Sequence, residues 1–271
     1  MLVPFSFGVL LAFHLYPRVS AASVPFTAFA LFIGTAISIT AFPVLARILT
    51  ERELLHTKVG AVAITSAAVN DTLAWCLLAG IIVMVRADSL TLPLWATLLG
   101  LGFYVLLMVT VVRKALQKLM RFKKQGDHLT HEMLAVILLV VLASGWITET
   151  LGVHALFGAF LAGLVMPRQP ELTRALWLRI EGLIVVLLLP LYFVLTGLRS
   201  NLFLLSGLEA WFFLALIVAT AIIGKIGGST IAAKISGLSW RESTAVGVLM
   251  NTHGMVELVI LNIGLDLGII S

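Results

Sequence analysis

The strongest constraint on this chain is a succession of nine apolar stretches with almost no charge inside them: Leu2–Tyr16, Val24–Ala46, Val59–Val85, Leu92–Val112, Met133–Glu149, Val153–Met166, Ile180–Leu198, Ala210–Ala233 and Ser243–Leu265. A bilayer core about 30 Å thick takes roughly 20 helical residues to cross. Runs of this length and continuity read as membrane-spanning helices, with the first and sixth on the short side. A porin-type barrel is excluded, because its strands alternate apolar and polar residues at every second position. Composition agrees, since 11% of the 271 residues are charged and 61% hydrophobic, where a soluble domain carries about 25% charge. The expected fold class is an all-α polytopic membrane protein of about nine transmembrane helices, with the lipid bilayer as its solvent.

The few charges are ordered. Of the 18 Lys and Arg, 14 fall in alternate connections, within Arg47–Lys58, Arg113–Lys124, Arg168–Arg179 and Lys234–Arg241. The opposite set of connections holds Arg18, Arg86 and Arg199, and Lys225 lies inside a stretch. A miscount of one helix would scramble this asymmetry. The positive-inside rule places the 14-residue side in the cytoplasm, so the chain would start inside and end outside as a multi-pass protein of the plasma (inner) membrane. The net charge of +5 is therefore a topology signal, and no nucleic-acid partner is expected. Residues 113–130 would be a cytoplasmic linker loop between two helical groups. Cys76 is the single cysteine, which leaves no intrachain disulfide or cysteine-based metal site. The N-terminal run lacks the basic n-region and small-residue cleavage site of a signal peptide.

Ionisable groups deep in a membrane are costly unless they face a cavity or a partner, so each is a functional candidate. Asn70-Asp71 lies about 12 residues into the third stretch, roughly 18 Å along a helix and close to the midplane. Lys225, in IIGKIGG, and Glu257, in MNTHGMVELVI, lie about mid-way along the eighth and ninth. Two stretches are also interrupted. In the second, Pro43 removes a backbone donor near Ser38 and Thr40. In the ninth, Asn251, Thr252, His253 and Gly254 form a polar break. Non-helical backbone at membrane depth survives only where it is buried or lines a cavity, and a pair of interruptions in opposite parts of the chain is the sequence sign of an inverted-repeat transporter.

These features converge on a cation site. Unwound backbone supplies carbonyl oxygens, Ser38, Thr40 and Asn70 add neutral oxygens, and Asp71 supplies one strong anionic ligand, a set that suits a transported monovalent cation. Proton and cation competing for that carboxylate would give exchange without further machinery. A cation channel is the alternative, although no filter-like repeat is present. An intramembrane aspartyl protease needs two deep aspartates and only Asp71 qualifies, and Ser144, in ASGW, sits in no nucleophile motif. Neither an enzymatic activity nor a cofactor is expected.

The segments ISITAFPVLARILTERELL and GAVAITSAAVNDTLAWCLLA, followed by LLLPLYFVLTGLRSNL and MNTHGMVELVILNIG in the same order, resemble the signature regions of the monovalent cation:proton antiporters. The likeness lies in the branch of the sodium/hydrogen exchanger fold that holds bacterial potassium-efflux and sodium/proton antiporters and plant cation/proton exchangers, and it covers essentially the whole chain. It implies two inverted repeats, two unwound crossing helices, and an elevator-like core moving against a dimerisation scaffold. Residues 1–85 and 210–271 would belong to the ion-binding core and 133–198 to the scaffold, with a homodimer when full length. Asp71 would bind the cation or proton beside Asn70, with Thr40 and Pro43 on one crossing helix, Asn251 through Glu257 on the other, and Lys225 as the basic residue of the helix between. Family members have more spans, so the chain would lack the first helices and the last, and a truncated, non-transporting fragment is the further alternative. One carboxylate argues for one-for-one exchange, while Lys225 keeps electrogenic exchange open. His253 stands where relatives often have Arg or Lys; a histidine titrates near neutral pH, which makes it a candidate pH sensor.

Overall fold

Backbone N–H and C=O groups in hydrocarbon find no water, so an apolar stretch must close its hydrogen bonds internally as helix. The computed structural model describes residues 1–21, 24–85, 94–121, 130–167, 169–199 and 207–270, and there the apolar stretches are helical. The helices are α1 (Leu2–Val19), α2 (Phe26–Ser38), α3 (Phe42–Glu51), α4 (Lys58–Val85), α5 (Leu94–Leu107), α6 (Arg113–Arg121), α7 (His131–Thr150), α8 (Ala155–Val165), α9 (Pro170–Leu183), α10 (Leu189–Arg199), α11 (Leu208–Ile235), α12 (Trp240–Met250) and α13 (Met255–Asp266). Among the described residues the β pairing is a single isolated bridge between Ser20 and Ile270.

Local chemistry explains several boundaries. Ser239 caps α12 with a reciprocal capping box, its hydroxyl accepting from the Glu242 N–H while the Glu242 carboxylate accepts from the Ser239 N–H at 2.9 Å, which satisfies two of the donors a helix start leaves open. Thr130 accepts from the Met133 N–H and starts α7. Between α9 and α10 the chain runs through a π-helical turn at Ile184–Leu188. Pro190 lies just beyond, and its ring would press on the carbonyl four residues back, at Val186, inside that turn.

Among the described residues seven helical spans, α2 with α3 counting as one, are long and apolar enough to cross a bilayer, or up to eight when the bent pair α12 and α13, meeting at 45°, is taken as one span. The sixth stretch is shorter: α8 has 11 residues, or about 16 Å at 1.5 Å per residue, half a bilayer core. The basic segment 113–130 differs from the expected loop, because its first nine residues form α6, continuing from α5 through a π-helical turn at Met108–Val112. Residues 122–129 of that segment, with Lys123 and Lys124, lie outside the described residues, as do Arg86 and Arg168.

The chain divides into two compact units, Met1–Val85 with Asn201–Ser271, and Arg86–Ser200. In the first, α1 packs on α2 and α11, α2 on α4 and α13, and α12 on α11 and α4. The span formed by α2 and α3 is its most enclosed, 67% of its apolar window being buried, with Phe29, Phe32 and Ile39 fully inside beside Leu78, Ile82 and Ile260. A second cluster joins Leu45 and Leu49 of α3 to Ala63 and Ala67 of α4 and Val246 and Met250 of α12. In the other unit α7 and α8 pack together. There the Tyr104 hydroxyl donates to Ser144 Oγ at 2.6 Å, and Ser144 donates to the Gly158 carbonyl at 2.5 Å, so Ser144 is a buried link between helices.

Candidate functional site

Pro43 decides where the second stretch breaks. It cannot donate to the carbonyl four residues back, that of Ile39, and α2 stops at Ser38, while Pro43 sits in the first turn of α3, where a missing N–H costs nothing. Residues 39–41 are unwound. The ninth stretch breaks at Asn251–Gly254 between α12 and α13. Buried helix ends must find partners for their orphan groups, and here the two breaks supply each other. The Ala41 N–H donates to the Thr252 carbonyl at 2.9 Å, and Thr40 Oγ1 donates to the Met250 carbonyl at 2.8 Å. The breaks approach so closely that a Cβ on Gly254 would lie 2.9 Å from Val44 Cγ2 and 3.0 Å from the Ala41 Cβ. The backbone of Gly254 is extended (φ −172°), so glycine is required there by space.

The carbonyls freed at the end of α2 are taken by side chains from other helices. Asn70 Nδ2, on α4, donates to the Ser38 carbonyl at 3.1 Å. Lys225 Nζ, on α11, donates to the Ile39 carbonyl, the acceptor that Pro43 leaves open. An ammonium at a helix C-terminus also complements the partial negative charge of that end. Lys225 is 2% exposed, and its second partner is Glu257 Oε1 at 3.1 Å. Glu257 lies in the first turn of α13, where a carboxylate complements the positive end of a helix. His253 Nδ1 lies 2.6 and 2.7 Å from the two Glu257 oxygens, and its Nε2 lies 3.3 Å from Asn251 Oδ1. One side of the break thus holds a lysine, a histidine and a shared carboxylate, at the polar end of an otherwise apolar cleft of about 390 Å³ between α2, α11 and α13.

Asp71 stands apart from that cluster. Lys225 pairs with Glu257 and not with Asp71, whose carboxylate accepts from the Trp75 indole N–H one turn further along α4. Among the described residues Oδ1 of Asp71 and Oδ1 of Asn70 are both buried without a hydrogen-bond partner. Buried polar atoms are almost always satisfied in folded proteins, so two orphaned oxygens on consecutive residues make Asn70 and Asp71 a candidate site; Thr97, Thr230 and Ser243 also carry a buried hydroxyl without a partner. Ser38 Oγ, also buried, donates to the Thr35 carbonyl at 3.0 Å.

Of the residues singled out in the sequence, Ser38, Thr40, Asn70, Lys225, Asn251, Thr252, His253, Gly254 and Glu257 meet around the two breaks, with Pro43 as the cause of the first. Asp71 adjoins them through Asn70. The sequence reading missed Trp75, although its i+4 spacing from Asp71 puts the two on one helix face. It also missed the Ile39 and Met250 carbonyls, since no residue type announces a freed backbone acceptor.

An all-helical, multi-pass membrane protein whose buried charges gather at two mutually bonded helix breaks is the class that this fold and site define. The chain belongs to the sodium/hydrogen exchanger family, whose transmembrane model matches residues 1–271, the whole of it. It is similar to the Na⁺/H⁺ antiporter NhaS4 of Synechocystis sp., with 41% identity over 99% of this chain and 65% of that protein. It is also similar to cation/H⁺ antiporter 19 of Arabidopsis thaliana, at 42% identity over 97% of this chain and 33% of the relative. The K⁺/H⁺ antiporter 1 of Saccharomyces cerevisiae shares 37% identity over 99% of this chain and 32% of its own length. The chain thus spans 65% of the first of these relatives and about a third of the other two.

Proposed function

We propose that this chain forms the transmembrane exchange unit of a secondary antiporter that moves a monovalent cation, K⁺ or Na⁺, against protons. The observation that carries the reading is the pair of buried, unpartnered oxygens on Asn70 and Asp71. A carboxylate beside a neutral amide oxygen offers a hard monovalent cation one full charge and one dipole, and the same carboxylate can take a proton instead. Cation and proton then exclude one another, which couples their movement. Ser38 and Thr40 complete the oxygen set from the first break, and Lys225 with Glu257 holds the broken helices in register.

Alternating access would come from the unit holding 1–85 and 210–271 moving, elevator-like, against a scaffold that includes 133–198, within a homodimer of the full-length protein. The relatives' printed functions, sodium/proton, potassium/proton and cation/proton antiport, support the substrate class. The 14-against-3 distribution of basic residues supports a cytoplasmic N-terminal end, and a plasma (inner) membrane is the proposed location. The test is reconstitution in liposomes with an internal pH dye. Addition of Na⁺ or K⁺ should drive proton movement that Asp71→Asn abolishes, and undiminished exchange in that variant overturns the reading.

A further inference from the structure

The helix made by α5 and α6 is unbroken from Trp95 to Leu119, and its outer side changes character along its length. Trp95, Leu99, Phe103 and Leu106 recur three or four residues apart and are each more than half exposed, the pattern of a lipid-facing helix side. Arg113, Lys114 and Lys118 are the exposed side chains that follow further along. From Trp95 to Arg113 the helix rises about 27 Å at 1.5 Å per residue, close to the thickness of a bilayer core. Tryptophan favours the membrane–water interface. With Trp95 at one interface, Arg113 reaches the other, and α6 begins at headgroup depth.

Within α6 the two sides are sorted. Lys114, Lys118 and Arg121 follow at helical spacings of four and three residues, with Arg113 beside them, while Leu116 lies on the opposite side and is buried. The π-helical turn at Met108–Val112 takes an extra residue into its ring, and Met108 and Leu116 are both buried, so the basic side is left outward. The nine residues of α6 hold four cations and no carboxylate. Like charges at i, i+4, as in Lys114 and Lys118, disfavour a helix. The negative end of the helix offsets this for Lys118 and Arg121 in the last turn, but not for Arg113 and Lys114. In other basic connections the chain answers its own cations: Arg47 pairs with Glu51 at 2.8 Å, Lys58 attracts the Glu242 carboxylate, and Lys234 donates to the Leu238 carbonyl at 3.2 Å and lies 5.4 Å from the centre of the Trp240 ring. Among the described residues Arg113 and Lys114 have no ion-pair partner.

We propose that the face of α6 carrying Arg113, Lys114 and Lys118 is a docking surface for anionic phospholipid headgroups of the cytoplasmic leaflet. The lipid phosphate supplies the negative charge that α6 lacks, taken by Arg113 as a fork and by the lysines as point charges, and the acyl chains lie along the apolar row of Leu99, Phe103 and Leu106. A cluster of about four or more Lys and Arg immediately cytoplasmic of a spanning helix attracts anionic lipid in this way. The surface is distinct from Asn70–Asp71, and its binding does not rest on the antiporter reading.

The test is lipid retention by the purified full chain in mixed micelles of detergent with equal phosphatidylglycerol and phosphatidylcholine, counted by native mass spectrometry. The wild type should keep phosphatidylglycerol in preference, less so as NaCl is raised. Arg113→Gln with Lys114→Gln should lower that preference about fivefold for each cation removed, while the charge-keeping pair Arg113→Lys with Lys114→Arg stays near wild type. Both positions are exposed, so thermal unfolding of the variants should match the wild type, and the charge-keeping pair gives the comparison should the glutamine pair unfold early. Arg47→Gln, which removes a cation already answered by Glu51, should leave the preference unchanged. Equal retention of the two lipids by the wild type, or the same preference in the glutamine pair, overturns the surface. An equal loss in Arg47→Gln also overturns it, because diffuse basic charge then suffices. Displacement by inorganic phosphate beyond that by NaCl at equal ionic strength shows a simple anion site and overturns the lipid assignment. None of these readouts involves transport, so failure of the exchange at Asp71 is scored separately.

Discussion

Thr40 and Met250, 210 positions apart in the chain, are joined by a 2.8 Å hydrogen bond from the Thr40 hydroxyl to the Met250 carbonyl. Both residues are buried, and the carbonyl belongs to a helix end whose own donor is lost at the break. Replacing Thr40 with Val keeps the shape and removes the donor. Leaving a buried acceptor unsatisfied costs about 1–3 kcal/mol. Thr40→Val should lower the unfolding midpoint in detergent by that equivalent, while Thr40→Ser stays near wild type.

Lys225 and Glu257 should behave as a unit. Removing one partner of a buried ion pair costs about 3–5 kcal/mol, whereas replacing both is often close to neutral. Glu257 keeps 19% side-chain exposure and a second partner in His253, so the cost of Lys225→Met should fall at the lower end. The double variant Lys225→Met with Glu257→Gln should be more stable than Lys225→Met alone. A double-mutant cycle on unfolding in detergent gives the coupling, and additive effects would contradict the pairing.

Asn70 holds the freed Ser38 carbonyl and presents an unpartnered oxygen beside Asp71. Asn70→Ala removes both. On the antiporter reading, apparent cation KM should rise about tenfold, the equivalent of one lost interaction of about 1.4 kcal/mol, alongside a stability loss of about 1–3 kcal/mol from the unsatisfied Ser38 carbonyl. An unaltered KM would remove Asn70 from the cation site.

Gly254 is a matter of space. A methyl group there would lie 2.9 Å from Val44 Cγ2 and 3.0 Å from the Ala41 Cβ, pushing the two breaks apart. Overpacking of this kind costs about 1–3 kcal/mol. Gly254→Ala should destabilise the protein in thermal unfolding, and Val44→Ala added to it should recover part of the loss. A second substitution that only adds to the first would show that the contact is not the cause.

The helical class, the approximate positions of the spans and the two interruptions were legible in the sequence because they follow from local rules. An apolar run of membrane length must be helical, and proline or an Asn-Thr-His-Gly run in its middle must interrupt it. Length was less reliable where the chain packs within itself, as α8 shows by stopping at 11 residues. The basic segment after α5 was read as loop because of its charge, yet Arg113–Arg121 is composed largely of good helix formers and continues the helix.

Asp71, Lys225 and Glu257 were visible in the sequence for one physical reason: charge at membrane depth is expensive and so is conspicuous. Their pairing was not visible. That Lys225 answers Glu257 and the Ile39 carbonyl, while Asp71 keeps a buried oxygen open, depends on which freed carbonyl each helix presents to which neighbour. Pro43 fixes from the sequence that Ile39 will lack its helical donor, and only the packing of α11 against α2 decides that a lysine supplies it. Sequence determines where a backbone must break and which charges are out of place, because those are properties of single residues in lipid. Tertiary structure decides who satisfies whom, because hydrogen bonds reach only about 3 Å and groups that meet here, such as Thr40 and Met250, lie 210 residues apart.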